Sequence, residues 1–319
     1  MRSGFVSVVG RPNVGKSTLV NMMVGTKVSI TSQRPNTTRH RIRGVLHRPD
    51  AQVVFVDTPG LHRPRTALGN RLNETAAGSL DDVDVVVVLV DATAAVGPGD
   101  RRVLGQALQA VRSARRQLPP AVAGSGGSLD AGPRPSMVVV VNKTDRARPD
   151  QVLERLATVA EAVDVLDAAA GDRAGVAADV EYFPLSAKDG RGVQALVDGI
   201  VARLPEGPAF YPEDMVTDLP EAVRVAELVR EQLLVHARDE LPHSIACRVT
   251  EWEWPRIRCE IVVERESQKA IVIGKGGEVL KAAGTAVRAE LPPGAYIELF
   301  VRVEKHWQQR EDLIDRLGY

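Results

Sequence analysis

The run Val8-Val9-Gly10-Arg11-Pro12-Asn13-Val14-Gly15-Lys16-Ser17-Thr18 carries the densest chemistry in the chain. Gly10, Gly15, Lys16 and Ser17 have the spacing G-x-x-x-x-G-K-[ST], a loop whose backbone N–H groups wrap phosphate oxygens. Glycines at these points free the backbone to curl. Lys16 offers its charge to the β- and γ-phosphates, and the Ser17 hydroxyl is a hard oxygen donor suited to Mg²⁺. The loop follows an apolar run at residues 5–9 and opens a helix-like stretch at 16–24, whose N-terminus favours an anion. Asn13, Val14 and Thr18 belong to the same expected contact set.

Further groups follow in chain order, each expected at the carboxyl end of a strand. Asp57-Thr58-Pro59-Gly60 offers a carboxylate to Mg²⁺ through water and the Gly60 N–H to the γ-phosphate. Asn142-Lys143-Thr144-Asp145 is a guanine reader. The Asp145 carboxylate can accept from the guanine N1–H and 2-amino groups, a donor pair that adenine lacks. Asn142 is expected to tie the base to the phosphate loop, and the Lys143 stem to cover the ring. Ser186-Ala187-Lys188 is a weak signal alone; in this order it supplies the Ala187 N–H to the guanine O6. Between the first helix and second strand, Arg34, Arg39, Arg41, Arg43 and Arg48 occur with no acid from Gln33 to Pro49. A segment so placed is where nucleotide switches order, with Thr37 or Thr38 closing over the metal. Leu61 follows Gly60, where Ras-like enzymes carry a water-orienting Gln. Leucine cannot hydrogen-bond water, so either hydrolysis is very slow or backbone groups and a cation place the water; Lys16, the switch threonine and the Gly60 N–H are the expected catalytic groups.

These groups need a frame. Strand-like runs occupy residues 5–9, 43–46, 53–56, 83–90, 137–141 and 180–184, and helix-like stretches 16–24, 101–117, 149–167 and 193–204. Continuous valine runs suit strands buried on both faces of a mostly parallel six-stranded sheet in a doubly wound α/β domain. Residues 114–136 and 171–179 look like surface insertions, and the proline-rich stretch 205–220 like a linker. The expected organisation is a nucleotide-binding G domain at 1–204, the linker, and a smaller α+β domain at 221–319.

In the second domain the expected order is α-β-β-α-α-β, with a helix at 221–239 whose apolar face is Val225, Leu228, Val229, Leu233 and Val235. Gly274-Lys275-Gly276-Gly277, between two short helices, fits the GXXG loop with which KH domains clamp four nucleotides of single-stranded RNA. Lys269, Lys275 and Lys281 supply charge, and Ile271, Ile273, Val279 and Leu280 are candidates to line an apolar groove. Trp252, Trp254 and Trp307 are expected to pack in the core.

The composition narrows the function class. With 319 residues, 44% hydrophobic and 26% charged, the chain can bury two ordinary cores. Lys plus Arg and Asp plus Glu both total 41, so any nucleic-acid site is a local patch. The second domain holds 15 Lys and Arg against 17 Asp and Glu, which confines RNA contact further. Cys247 and Cys259 form no metal pattern and suit a reducing cytosol. The longest apolar run, 85–90, is too short for a bilayer, and a strand-like start argues against a secretory leader.

The runs GRPNVGKSTL, ITSQRPNTTRHRI, VDTPGLHRPRTALG, VNKTD and SAKDGRGV, with ELPHSIACRV, KAIVIGKGG and KHWQQREDLIDRLGY, resemble the TrmE–Era family of translation GTPases over nearly the whole chain. The resemblance implies a P-loop GTPase domain joined to a type II KH domain, GTP hydrolysis to GDP, and Mg²⁺ held by Ser17, Thr38 and Asp57. It implies K⁺ beside Asn13, and an apolar residue in place of the catalytic glutamine, as at Leu61. It further implies binding of the 3′ end of 16S ribosomal RNA, assistance to small-subunit assembly, and a monomer in the cytoplasm that associates peripherally with the inner membrane. Two alternatives stand beside this: an RNA-binding chaperone with GTP as a structural ligand, and a membrane-linked signalling GTPase.

Overall fold

A computed structural model describes residues 1–32, 34, 37–60, 66–117, 134–171, 176–236 and 241–319. Leu61, most of the 114–136 insertion and part of the 171–179 insertion lie outside the described residues. Contacts divide the chain into two units. The first gathers Met1–Ser29, His40–His62 and Glu74–Asp218; the second gathers Ile30–Arg39, Arg63–Asn73 and Leu219–Tyr319.

The first unit is a six-stranded sheet in the order β2-β3-β1-β4-β5-β6. Its strands are β1 (Arg2–Gly10), β2 (Ile42–His47), β3 (Ala51–Asp57), β4 (Val85–Asp91), β5 (Ser136–Asn142) and β6 (Glu181–Pro184). Only β2 runs antiparallel to its neighbour. The valine runs of β4 and β5 are buried along their length because helices cover both faces. Alternation splits β1, β4, β5 and β6 between two cores, while β2 and β3 contribute to the first alone. Val6, Val8, Val87 and Val138 face α1 (Lys16–Val24) and α5 (Val193–Arg203). Val9, Val86, Val88 and Val139 face α3 (Pro98–Gln117) and α4 (Pro149–Ala169). The connections leaving the adjacent strands β1 and β4 therefore turn to opposite faces. That opens a crevice at the carboxyl end of β1, where doubly wound sheets bind ligands.

The stretch read as a linker is strapped to this unit. Gln52 accepts from the Phe210 and Tyr211 amides and donates to the Tyr211 carbonyl, while Val45 N–H donates to Val216 O. The contact boundary falls at Asp218. Helix α2 (Ala67–Gly78), which the hydrophobic pattern did not suggest, is divided between the two units.

The second unit has a three-stranded sheet, β7 (Ala246–Glu253), β8 (Arg256–Val263) and β9 (Tyr296–Val303), with β7–β8 antiparallel and β8–β9 parallel. Helices α6 (Glu221–His236), α8 (Glu266–Ile273) and α9 (Glu278–Ala289) share a core with Ile257, Cys259 and Ile261. The expected α-β-β-α-α-β order is present, with a short α7 (Leu241–Ser244) added. Trp307 and α10 (Glu311–Arg316) belong to a further cluster with Ala246, Val262 and, from α2, Leu68 and Leu72.

Three expectations about packing are corrected. Trp252 and Trp254 are exposed, because they sit at the tip of the β7–β8 hairpin; Trp307 alone is buried. Val235 is 71% exposed near the end of α6, whereas Glu227 and Arg230 are buried on that helix.

Candidate functional site: a phosphate cradle and a separate GXXG loop

The phosphate loop leaves β1 and turns into α1 through Gly15 at φ 100°, a left-handed conformation that costs glycine little. A Cβ there would stand 2.3 Å from Asn142 Nδ2. Gly60 is excluded from substitution by crowding instead, since its Cβ would stand 2.8 Å from Pro12 N. Both loops thus lie as close as bare backbone allows, and the cradle they form exposes main-chain groups in place of side chains.

Lys16 is buried, and its Nζ donates to Gly10 O and Arg11 O, each at 3.2 Å. Burial pulls its pKa down to about 8, while the Asp57 carboxylate opposes that shift. Asp57 itself is wholly buried at the end of β3, beside Thr58, whose Oγ1 donates to Val8 O at 3.1 Å. A hydroxyl at Ser17 and a carboxylate at Asp57 are oxygen donors of the kind Mg²⁺ requires, and the residues present fit that ion.

Asn142 joins two loops. Its Nδ2 donates to Val14 O at 2.7 Å, and its Oδ1 accepts the Ala187 N–H at 2.9 Å. The expected tie to the phosphate loop is therefore formed. The Ala187 N–H, expected to face a guanine O6, is directed to Asn142. Asp145 is half-buried, with its Oδ1 accepting from Ser186 Oγ at 2.9 Å. Lys143 has φ 68° and extends its Nζ to Asp91 Oδ2 at 2.7 Å. Burial alone would raise the Asp91 carboxyl; the bonds from Lys143 and Thr93 outweigh it and hold it below the usual range. Lys188 is exposed beside this group, and Asn13 is exposed on the phosphate loop with φ 64°. The aligning role of Ser186 was absent from the sequence reading, because its partner lies 41 residues away.

Thr38 belongs by its contacts to the second unit and is buried there. In that unit the GXXG loop joins α8 to α9. Gly274 has φ 74°, and a Cβ on it would stand 2.6 Å from Val279 Cγ2 and 2.9 Å from the Val279 amide nitrogen. Gly276 and Gly277 also have positive φ, at 62° and 82°, but face open space. Lys275 and Lys281 are exposed and Lys269 is half-buried. Ile271 is exposed next to the loop, while Val279 and Leu280 pack against the core. The loop can admit a phosphodiester closely, with cations and an apolar edge beside it.

Comparison with known proteins agrees with both halves. Residues 5–119 match the family model described as 50S ribosome-binding GTPase, and residues 240–308 match that of the KH domain. The curated GTPase Era of Mycobacterium avium (strain 104) is 44% identical, over all of this chain and 99% of its own length. A crystal structure of a Tyr-to-Ala variant of Aquifex aeolicus Era bound to GDP.AlF4⁻ matches with a TM-score of 0.81 at 35% identity, covering all of this chain and 99% of that one. A structure of Era in complex with MgGDPNP and nucleotides 1506–1542 of 16S ribosomal RNA matches with a TM-score of 0.82, again at 35% identity and with the same coverage.

Proposed function

The chain belongs to the Era family of GTPases, and on that premise we propose that it hydrolyses GTP while gripping the 3′ end of 16S ribosomal RNA during small-subunit assembly. The β- and γ-phosphates lie in the backbone cradle of Gly10–Thr18, with Lys16 as the cation and the Gly60 N–H on the γ-phosphate. Ser17, Thr38 and Asp57 would hold Mg²⁺, which neutralises charge on the phosphate oxygens. Asp145, aligned by Ser186, reads the guanine edge, and Asn142 keeps the base-reading loop in register with the phosphate loop. Water attacks the γ-phosphorus, the bond to the β–γ bridging oxygen breaks, and GDP and phosphate leave. Leu61 has no group to orient that water, so backbone groups and a cation near Asn13 do so. RNA is clamped by Gly274-Lys275-Gly276-Gly277, with Lys269 and Lys281 beside it.

The observation that carries this is the bridge from Val14 O through the Asn142 side chain to Ala187 N–H, which ties the phosphate cradle to the base-reading loops. The test is multiple-turnover phosphate release in K⁺ and in Na⁺, joined to crosslinking of the GTP-analogue form to total RNA. Turnover stimulated by K⁺, with crosslinks at the 3′ end of 16S RNA, is expected. GTP binding without turnover in either salt would leave an RNA chaperone with GTP as a structural ligand. The same proposal assigns the work to the cytoplasm, at the small subunit, with peripheral membrane association. Co-sedimentation with small subunits and with anionic vesicles checks each part.

A further inference from the structure

The loop that leaves β4 and enters α3, residues 91–100, carries no nucleotide-binding motif, yet it is tied to both the base-reading run and the phosphate loop. All the residues involved lie in the first unit. At the start of the loop, Asp91 pairs in register with Asn142, and the Ala92 N–H donates to Asn142 O at 2.8 Å. The Asp91 carboxylate divides its oxygens. Its Oδ1 accepts from the Thr93 N–H at 2.9 Å and from Thr93 Oγ1 at 2.7 Å, while its Oδ2 accepts from Lys143 Nζ at 2.7 Å. Lys143 leaves a left-handed backbone, φ 68°, a conformation that its surroundings must impose on a residue with a Cβ.

At the other end, Asp100 is buried in the first turn of α3. Its Oδ2 accepts the Gly97 N–H at 2.9 Å and Arg11 Nη1 at 3.0 Å. The Arg11 stem lies against Gly99, so close that a Cβ there would stand 3.0 Å from Arg11 Cδ. Arg11 O is in turn one of the two carbonyls that receive Lys16 Nζ. A turn or a helix cap needs only an acceptor, which a neutral Asn or Ser would supply. Both positions carry a full charge instead, and each meets a cation from a nucleotide loop. Pairs this exposed add little stability. What they fix is direction: a lysine tethered at its Nζ is drawn out before the base arrives and loses less freedom on binding.

We propose that Asp91 and Asp100 are positioning residues for the nucleotide: Asp91 holds Lys143 extended to cover the purine ring, and Asp100 holds Arg11 and with it the carbonyl on which Lys16 rests. This holds on the reading of the phosphate cradle and the run Asn142–Asp145 as the guanine-nucleotide site. The two carboxylates then act on different quantities. The ring is covered alike in GDP, in GTP and in the transition state, so losing the hold on Lys143 raises KM more than it lowers kcat. A phosphate loop that lets Lys16 shift misplaces charge where the transition state needs it, so kcat falls as well.

The test uses the full chain, fluorescent GDP, a non-hydrolysable GTP analogue and steady-state hydrolysis. Asp91→Asn should weaken GDP and the GTP analogue equally, about tenfold, with the loss in turnover falling on KM more than on kcat. Arg11→Ala, at an exposed side chain, and Asp100→Asn, which keeps an acceptor for the Gly97 N–H, should each lower kcat about tenfold. Each pair also closes a cycle. Asp91→Asn added to Lys143→Met, and Asp100→Asn added to Arg11→Ala, should bring no further loss. Losses that add in either cycle would show that the carboxylate acts through the fold, and would overturn its positioning role. Lowered stability with binding and turnover intact would do the same. If Asp91→Asn does not fold, Lys143→Met decides, since it keeps an apolar stem without the tether; parent-like affinity there overturns the role of Asp91. A parent that binds neither nucleotide would sink the site and the positioning roles together. Variants that match a parent binding both would sink the positioning roles alone.

Discussion

A carboxylate that discriminates bases must be held still, and Ser186 holds Asp145 by one oxygen at 2.9 Å. Asp145→Asn replaces one acceptor with a donor that meets the guanine donors head-on. It should cost GTP about 2–3 kcal/mol of binding and favour xanthine, whose edge presents an acceptor there. Competition of XTP against GTP measures it; a variant that still prefers GTP as strongly as the parent would refute the base-reading role. In the other unit, two glycines of one loop should behave unequally. Gly274→Ala meets the Val279 backbone as well as a strained φ, and should destabilise the second unit by about 2–4 kcal/mol. Gly276→Ala meets only the φ penalty, about 1 kcal/mol. Chemical denaturation of both variants checks the ranking. These contrasts mark what residue types can reveal. The phosphate loop and GXXG were legible because their working groups are neighbours along the chain. The Asn142 bridge to Ala187 and the Ser186 bond to Asp145 join residues 45 and 41 positions apart, a relation that only the folded sheet creates.

At the scale of elements, the valine runs announced β4 and β5 because no polar residue interrupts them, and α1 began where the phosphate loop ended. Helix α2 was not legible. Its sequence ALGNRLNETAAG is mostly small or polar and shows no clear apolar stripe. What makes it a helix is packing: Leu68 and Leu72 are buried with Trp307, Leu313, Ile314 and Leu317. The hairpin tip failed in the opposite direction, since large aromatics suggested a core that Trp252 and Trp254 overshoot. The placement of α2 has a measurable consequence. All three tryptophans lie in the second unit, so their fluorescence reports on it selectively. Leu72→Ala should shift the tryptophan-monitored unfolding by about 2–5 kcal/mol, although Leu72 lies far from the tryptophans in sequence. Leu196→Ala, in the core shared by α5 and β1, serves as the comparison. If the two variants shift the tryptophan signal equally, the units unfold as one and the assignment of α2 gains no support.

At the scale of the whole molecule, the proposed function puts the nucleotide site in the first unit and the RNA grip in the second, and the segment bearing Thr38 gathers with the second. A ligand at one site can bias the other only through arrangements that the two ligands stabilise unequally. Residues 221–319 are close to neutral, so their hold on RNA depends on a confined loop whose presentation can be altered, and not on a diffuse field that acts in every arrangement. GTP should therefore change RNA affinity by about 1–3 kcal/mol, roughly 5–150-fold, and RNA must favour GTP over GDP by the same factor. The replacement pair Lys275→Asp and Gly276→Asp adds repelling charge at positions whose side chains meet open solvent. It should abolish RNA binding and leave GTP affinity without RNA unchanged. The measurement is a titration of the 3′-terminal segment of 16S RNA against GTP-analogue and GDP forms at fixed salt, with the reciprocal nucleotide titrations at saturating RNA. Equal RNA affinities in the two forms would show that the nucleotide does not gate the grip, even if both ligands bind.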